Sequence, residues 1–288
     1  MRAGKPSGTS TMVAFWRALN ALGATRVPGF SDPFAAALLP PWPARVLRGL
    51  GWLFERRPQL RDELVSRSRG MIDVIALRSC ALDDAWRQAR DAGARQLVIL
   101  GAGLDARAYR LPGLEDVRVF EVDHPSTQAF KRARTRGLRS PAASLSHVPV
   151  DLARDDLGAA LRLAGLDTAA PSCWIWEGVT HYLPHGVTEA TLSTVAALCP
   201  AGSLLAATYG DPREPYADHR TRRVLLRWAG EPQVGLLEPP QMAALLVGAG
   251  WRVRADVGLA ELARRYADGI HDARWSIGER VVVAERFA

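Results

Sequence analysis

The sequence predicts an α/β protein with a mostly parallel seven-stranded sheet and helices on both faces. Three observations carry the prediction. From Gln96 onward, short apolar runs alternate with stretches of helical periodicity. The first run, Leu97-Val98-Ile99-Leu100, climbs into Gly101-Ala102-Gly103 and then a helix start, the arrangement by which such sheets offer backbone N–H groups to a ligand. Acidic residues follow four consecutive runs, at Asp105, Asp123, Asp151 and Glu177.

Taken in order, the chain begins with helices. Met12, Phe15, Trp16 and Leu19 recur at helical spacing, and Ser31-Asp32-Pro33 is a helix-start signal that Pro40-Pro41-Trp42-Pro43 later breaks. A second helical region runs from about Leu60 to Ala92 through Ile72, Ile75, Leu77, Leu82 and Trp86. No stretch before Gln96 reads as a strand. Residues 1–95 are therefore expected to form a helical cap over a core at 96–288.

The strands are expected at Gln96–Leu100, Val117–Val122, His147–Val150, Cys173–Glu177, Ser203–Tyr209, Trp251–Val257 and Val281–Arg286. The last two are spaced so that an antiparallel edge hairpin fits. The segment at about 210–240 is longer than an ordinary connection and rich in Pro, Arg and Gly, so it is expected to be an inserted lid. Trp16, Trp42, Trp52 and Trp228 fall in the cap and lid, where an aromatic substrate can stack.

Composition narrows the function. The net charge is +7, but arginines are spread along all 288 residues, which does not describe a nucleic-acid-binding face. One local cluster, Lys131 to Arg136, reads either as a phosphate-binding patch or as a solvated helix face. Lysine occurs only at Lys5 and Lys131, which leaves almost no amine for Schiff-base chemistry. Cys80, Cys173 and Cys199 lack metal-ligand spacing and are expected to be reduced, buried thiols. With no apolar run long enough to span a bilayer and no secretory pattern in Met1–Ser10, the expected location is the cytoplasm, away from membranes.

Ligands in open parallel sheets sit beyond the carboxyl ends of the strands. There, Asp123 is placed about 20 residues past the glycine turn, where an acid accepts from ribose hydroxyls. Asp151 is placed to accept from an adenine amino group while Leu152 packs on the ring. Formally, Gly101-Ala102-Gly103-Leu104-Asp105-Ala106 also satisfies the nicotinamide-dinucleotide fingerprint. Asp105 argues against that reading, because a carboxylate in contact with phosphate costs about 4 kcal/mol at near-surface dielectric. Arg107 and Arg110 are close enough in sequence to offset it. There is no Tyr-x-x-x-Lys pair for hydride chemistry. A cationic nucleoside without phosphate, such as S-adenosylmethionine, suits the acidic turn better.

Several segments are similar to a known family. Leu97 to Leu111 resembles the signature of the leucine carboxyl methyltransferase-like superfamily of class I S-adenosylmethionine-dependent methyltransferases. Phe120-Glu121-Val122-Asp123-His124-Pro125, Val150-Asp151-Leu152 and Glu177-Gly178-Val179-Thr180-x-Tyr182-Leu183-Pro184 resemble its next three motifs, in order. Upstream, Ile72-Asp73 through Ala76-Leu77-Arg78-Ser79 resembles its helical arginine motif, and downstream Gly230-Glu231-Pro232 with Gly235-Leu236 resembles a late segment. The resemblance implies a Rossmann-like methyltransferase sheet and S-adenosyl-L-methionine as cofactor.

It also implies roles. Gly101, Gly103 and Asp105 would line the methionine moiety, Asp123 would hold the ribose with His124 shaping the pocket, and Asp151 and Leu152 would bind adenine. Arg78 would pair with the cofactor carboxylate, Glu177 would face its amino acid portion, and Tyr182 would stand at the transfer site. Members that methylate a protein phosphatase carry an N-terminal lysine near that carboxylate. Residues Pro6 to Phe15 have none and offer Ser10 and Thr11, which places this chain nearer the bacterial branch and its small-molecule acceptors. The implied activity is O-methylation of a carboxylate or hydroxyl, with a protein C-terminus as the alternative acceptor. Only a hydroxyl needs a base, for which His181 is the candidate nearest the transfer point. His185 is expected to face solvent, and Tyr209 is a further candidate for orienting substrate oxygen.

Overall fold

The computed structural model describes residues 7–68, 70–213, 233–267 and 278–287. Five helices precede the first strand: α1 (Gly8–Ala21), α2 (Ala35–Leu38), α3 (Pro41–Arg56), α4 (Pro58–Arg67) and α5 (Met71–Asp91). The seven strands are β1 (Gln96–Leu100), β2 (Arg118–Asp123), β3 (Ser144–Pro149), β4 (Ser172–Trp176), β5 (Leu204–Gly210), β6 (Trp251–Gly258) and β7 (Glu279–Arg286). Between them lie α6 (Arg107–Arg110), α7 (Pro125–Arg134), α8 (Leu157–Leu163), α9 (His185–Ala197), α10 (Pro239–Gly248) and α11 (Leu259–Tyr266), with a 3₁₀ turn at Thr180–Tyr182.

All seven strands form one sheet in the order β3-β2-β1-β4-β5-β7-β6. β1 to β5 are parallel, and β7 runs antiparallel to both β5 and β6. β1 is buried throughout and alternates its sides. Leu97 and Ile99 join the core beneath α5, while Val98 and Leu100 join the opposite core beneath α8 to α10. The chain leaves β1 towards β2 on one side and begins again at β4 on the other. The crevice at this switch point is where open α/β sheets bind ligands.

The last two strands form the expected antiparallel hairpin at the edge of the sheet, with β6 outermost and β7 inserted between β5 and β6. In β7, Val281 and Val282 are buried, whereas β6 carries Arg252, Arg254 and Asp256, charges that suit a strand with one open edge. One difference from the sequence expectation has a physical cause: β3 starts at Ser144, because Ser-Leu-Ser-His is a half-exposed strand without an apolar run. α5 packs both on the sheet and against α1. Its Val74, Leu77, Leu82 and Trp86 join the core with Ile99 and Ile175, while its Ile72 joins α1 to α4 in a core built on Leu19, Leu38, Leu47 and Phe54.

Of the lid segment, 214–232 lies outside the described residues, and with it Trp228 and the Gly230-Glu231-Pro232 motif. Residues 233–238 carry no regular secondary structure, and the Leu237 N–H donates to the Gly210 carbonyl over 2.9 Å. Cys173 and Cys199 are buried and Cys80 half-buried, all as free thiols. Among the described residues, no helix is long and apolar enough to cross a membrane, and no cluster of metal-ligating side chains occurs.

Candidate functional site

The turn after β1 is built by backbone geometry. Gly101 and Gly103 take φ of +62° and +43°, a region that costs other residues about 1–2 kcal/mol. Space adds a second constraint at Gly101, where a Cβ would stand 2.3 Å from Cγ2 of Val179. The Ala102 N–H donates to the Val122 carbonyl over 2.9 Å, which ties the turn to the end of β2. There the Asp123 carboxylate accepts the Gly103 N–H through one oxygen and the His124 N–H, at 2.6 Å, through the other. Burial pushes the Asp123 carboxyl up, and these two amides pull it back only in part. His124 caps α7, its Nδ1 accepting the Ser126 N–H.

A cavity of about 260 Å³ opens above this turn. Gly101, Gly103, Asp105, Asp123, Glu177 and Tyr182 line it, and Arg78 closes one side. Of the twelve site residues read from the sequence, seven therefore meet at one cavity.

The acidic turn differs from the sequence picture in charge. Asp105 and Glu177 are held in a buried arginine network instead of standing bare. Glu177 Oε1 accepts from Arg78 Nε at 2.8 Å and lies 2.7 Å from an Arg17 guanidinium nitrogen, while its Oε2 accepts from Arg107. Arg107 also bonds Asp105, and its Nε donates to Asp83 over 2.7 Å. Arg78 donates to both oxygens of Glu279, at 2.7 and 2.9 Å. Burial alone would raise the Glu177 carboxyl, but Arg107, Arg17 and Arg78 together hold it well below the usual range. Asp105 is lowered in the same way, with Arg107 and Arg17 overcoming its burial. Burial opposes the Arg78 charge, yet Glu279 and Glu177 keep it more firmly protonated than usual. The cavity thus presents guanidinium and carboxylate groups whose ionisation is locked.

Arg17, Arg107 and Glu279 were absent from the sequence-predicted site. Arg17 is 4% exposed, and its Nε has no hydrogen-bond partner among the described residues. Ser10, Val13 and Arg17 share the face of α1 that roofs the cavity. The available signal was a charged residue on the apolar stripe of α1, which periodicity discards as a surface position. For Arg107 it was the Asp105-x-Arg107 spacing, which lets the guanidinium fold back on the turn.

Past β4, the 3₁₀ turn at Thr180–Tyr182 is clamped on two sides. Thr180 Oγ1 donates to the Thr208 carbonyl at 2.7 Å, and the His181 carbonyl accepts the Val234 and Gly235 N–H groups at 3.0 and 3.1 Å. Tyr182 reaches the cavity. His181 is buried outside its lining, its ring 4.2 Å from that of Tyr182. His185 is exposed, as expected, with its Nε2 3.0 Å from the Leu236 carbonyl.

The remaining predicted residues are not in the lining of the cavity. Asp151 Oδ1 accepts the Ala153 N–H at 3.1 Å, and Leu152 packs against the core beyond β3. Tyr209 is fully buried, donates to Asp256 at 2.5 Å and accepts from Arg280 Nε at 3.0 Å. Burial and the Asp256 carboxylate push its hydroxyl well above the usual range.

Comparison with known proteins agrees with this architecture. The sequence profile described as leucine carboxyl methyltransferase matches residues 10–196. A protein of Mycolicibacterium gilvum assigned as an S-adenosyl-L-methionine-dependent methyltransferase is 41% identical over 216 residues, covering 72% of this chain and 67% of its own. A protein of Mycolicibacterium vanbaalenii with the same assignment is 33% identical over 92% of this chain and 88% of its own. Among solved structures, a DUF574 family protein of Streptomyces avermitilis superposes with a TM-score of 0.61 at 17% identity, covering 99% of both chains. A protein of Thermobifida fusca assigned as a methyltransferase gives 0.57 at 17% identity, over 99% of this chain and 96% of its own. At these identities the structural likeness concerns the fold.

Proposed function

Because this chain belongs to the leucine carboxyl methyltransferase family and is an S-adenosylmethionine-dependent methyltransferase, we propose that it methylates an oxygen, carboxylate or hydroxyl, of a small molecule of secondary metabolism. The observation that carries the reading is the convergence of Tyr182 on the cavity formed by Gly101, Gly103, Asp123, Arg78 and Glu177. The nicotinamide reading of the glycine turn gives way to the family's methyl donor.

The residues present fit that cofactor. The glycine turn leaves its floor to backbone, Asp123 is a half-buried carboxylate at the cavity wall, and Arg17 carries a buried N–H without a partner among the described residues. In this reading Gly101 and Gly103 admit the methionine portion, Asp123 accepts from the ribose hydroxyls and His124 holds the loop beside it. Asp151 and Leu152 bound the adenine, Arg78 pairs with the carboxylate, and Glu177 and Asp105 hold the guanidiniums in place.

When bound, S-adenosylmethionine supplies a methyl group on a positively charged sulfur, already activated for in-line displacement. The protein's main task is then positioning, which supplies roughly 7–11 kcal/mol when the acceptor is held at attack distance. Tyr182 orients the acceptor oxygen. His181, packed on the Tyr182 ring, positions that tyrosine and is the candidate base when the acceptor is a hydroxyl. A carboxylate acceptor arrives deprotonated and needs no such transfer.

The test is transfer from methyl-labelled S-adenosylmethionine to a panel of carboxylic acids and phenols. A methyl ester releases labelled methanol in alkali, whereas a methyl ether retains its label. Either outcome supports the reading, and products methylated only on nitrogen or carbon overturn it. In parallel, Asp123→Ala is expected to abolish S-adenosylhomocysteine binding in calorimetry, and retained affinity would refute the ribose assignment.

A further inference from the structure

A second pocket lies away from the cofactor cavity, at the C-terminal end of α7 and against β3. It measures about 390 Å³, and Arg132, Arg136, Arg139, His147, Thr135 and Tyr109 are among its walls. No acidic side chain lines it. In sequence the cluster Lys131 to Arg136 reads either as a phosphate-binding patch or as a solvated helix face, and the structure separates its members. Lys131 leaves the surface altogether: it is fully buried, with Nζ 2.8 Å from Glu121 Oε1. Arg134 turns the other way, its Nε donating to the Ala37 carbonyl at 3.1 Å. Arg132, Arg136 and Arg139 remain on one concavity, and among the described residues none is ion-paired with a carboxylate.

That situation differs from the one at the cofactor cavity. The guanidiniums around the cofactor cavity, Arg17, Arg78, Arg107 and Arg110, all have carboxylate partners. Glu121, the acid behind the pocket wall, is compensated from inside by Lys131 and faces His147 Nδ1 at 3.3 Å. It therefore leaves the field of the three arginines uncancelled. Three like charges around a concavity repel one another, and an anion with several acceptor oxygens relieves this while accepting charge-assisted hydrogen bonds.

We propose that this pocket is a second ligand site that takes a phosphoryl dianion, borne by a small phosphate ester or present as free phosphate. The three arginines bind its oxygens, and Thr135 and Tyr109 form the polar floor. The inference does not depend on the acceptor proposed above.

The experiment is calorimetric titration of the full chain with ribose 5-phosphate and, separately, inorganic phosphate, against sodium chloride at matched ionic strength. The Arg136→Ala/Arg139→Ala variant is expected to weaken binding about tenfold or more, whereas Arg134→Ala leaves it unchanged. Among the described residues these arginines have no carboxylate partner to lose, and an unchanged melting temperature verifies the fold. Tighter binding of ribose 5-phosphate assigns the site to an ester, and equal binding assigns it to free phosphate. Binding no stronger than that of chloride, or binding indifferent to the double substitution, overturns the proposal.

Discussion

Arg78 and Glu279 are joined by two hydrogen bonds across 201 residues of chain, linking the helix α5 that packs on the sheet to the first residue of its last-inserted strand. Through Arg78 the link continues to Glu177, so β7 is tied to the wall of the cofactor cavity. Glu279→Gln removes the charge but keeps the shape. It is expected to cost about 2 kcal/mol in urea unfolding, the scale of a charged hydrogen bond, and to weaken S-adenosylhomocysteine binding. Loss of stability with unchanged affinity would show that the link serves the fold alone.

Glu177→Gln should be far more damaging, because it leaves Arg17, Arg78 and Arg107 without their shared carboxylate. Breaking such a buried pairing costs about 3–5 kcal/mol. The pH dependence follows from the direction of the shift. The Glu177 carboxyl is held well below 4.5 in the folded chain, so its contribution is complete above that pH. As pH falls further the contribution shrinks by about 1.4 kcal/mol per unit, because the unfolded chain takes up the proton first. Urea unfolding of wild type and variant at pH 7 and pH 3.5 should therefore show a smaller gap at the lower pH.

Gly101→Ala places a methyl 2.3 Å from Val179 Cγ2 at a positive φ. Overpacking of this kind costs about 1–3 kcal/mol, with the backbone penalty added. Gly101→Ala/Val179→Ala should recover the steric part, leaving a deficit of about 1–2 kcal/mol from conformation alone. Thermal unfolding of the two variants checks it, and equal losses would mean that Val179 moves freely out of the way.

Tyr209→Phe distinguishes a substrate contact from a structural one. The hydroxyl is held between Asp256 and Arg280, so its removal should cost about 1–3 kcal/mol of stability and leave KM for the acceptor unchanged. A raised KM with unaltered stability would restore Tyr209 to the substrate site.

Tyr182→Phe should do the reverse. Its expected signature is a fall in kcat of about 100-fold for a hydroxyl acceptor, with S-adenosylhomocysteine affinity and melting temperature unchanged.

The strands and the glycine turn were legible because both are local. β1 carries the unbroken apolar run Leu97 to Leu100 and is followed by Gly101-Ala102-Gly103, so a few contiguous residues suffice to specify it. The acids after consecutive strands were legible because parallel strands place their ends side by side. β3 was partly hidden, since Ser144 and Ser146 interrupt its apolar pattern. The insertion of β7 between β5 and β6 was not legible, because partner choice depends on which strand must be buried on both edges.

For the cavity, the sequence by itself determined Gly101, Gly103, Asp105, Asp123 and Glu177, since each follows directly from the end of a strand. Only the tertiary structure decided their electrostatic state. Arg17 comes from α1, Arg78 from α5 and Glu279 from β7, and no spacing along the chain relates them. Charge compensation falls off with distance in space, not in sequence, and in a desolvated site it acts over a few ångströms. A turn read as bare acid is for that reason a closed network of guanidiniums and carboxylates once the chain is folded.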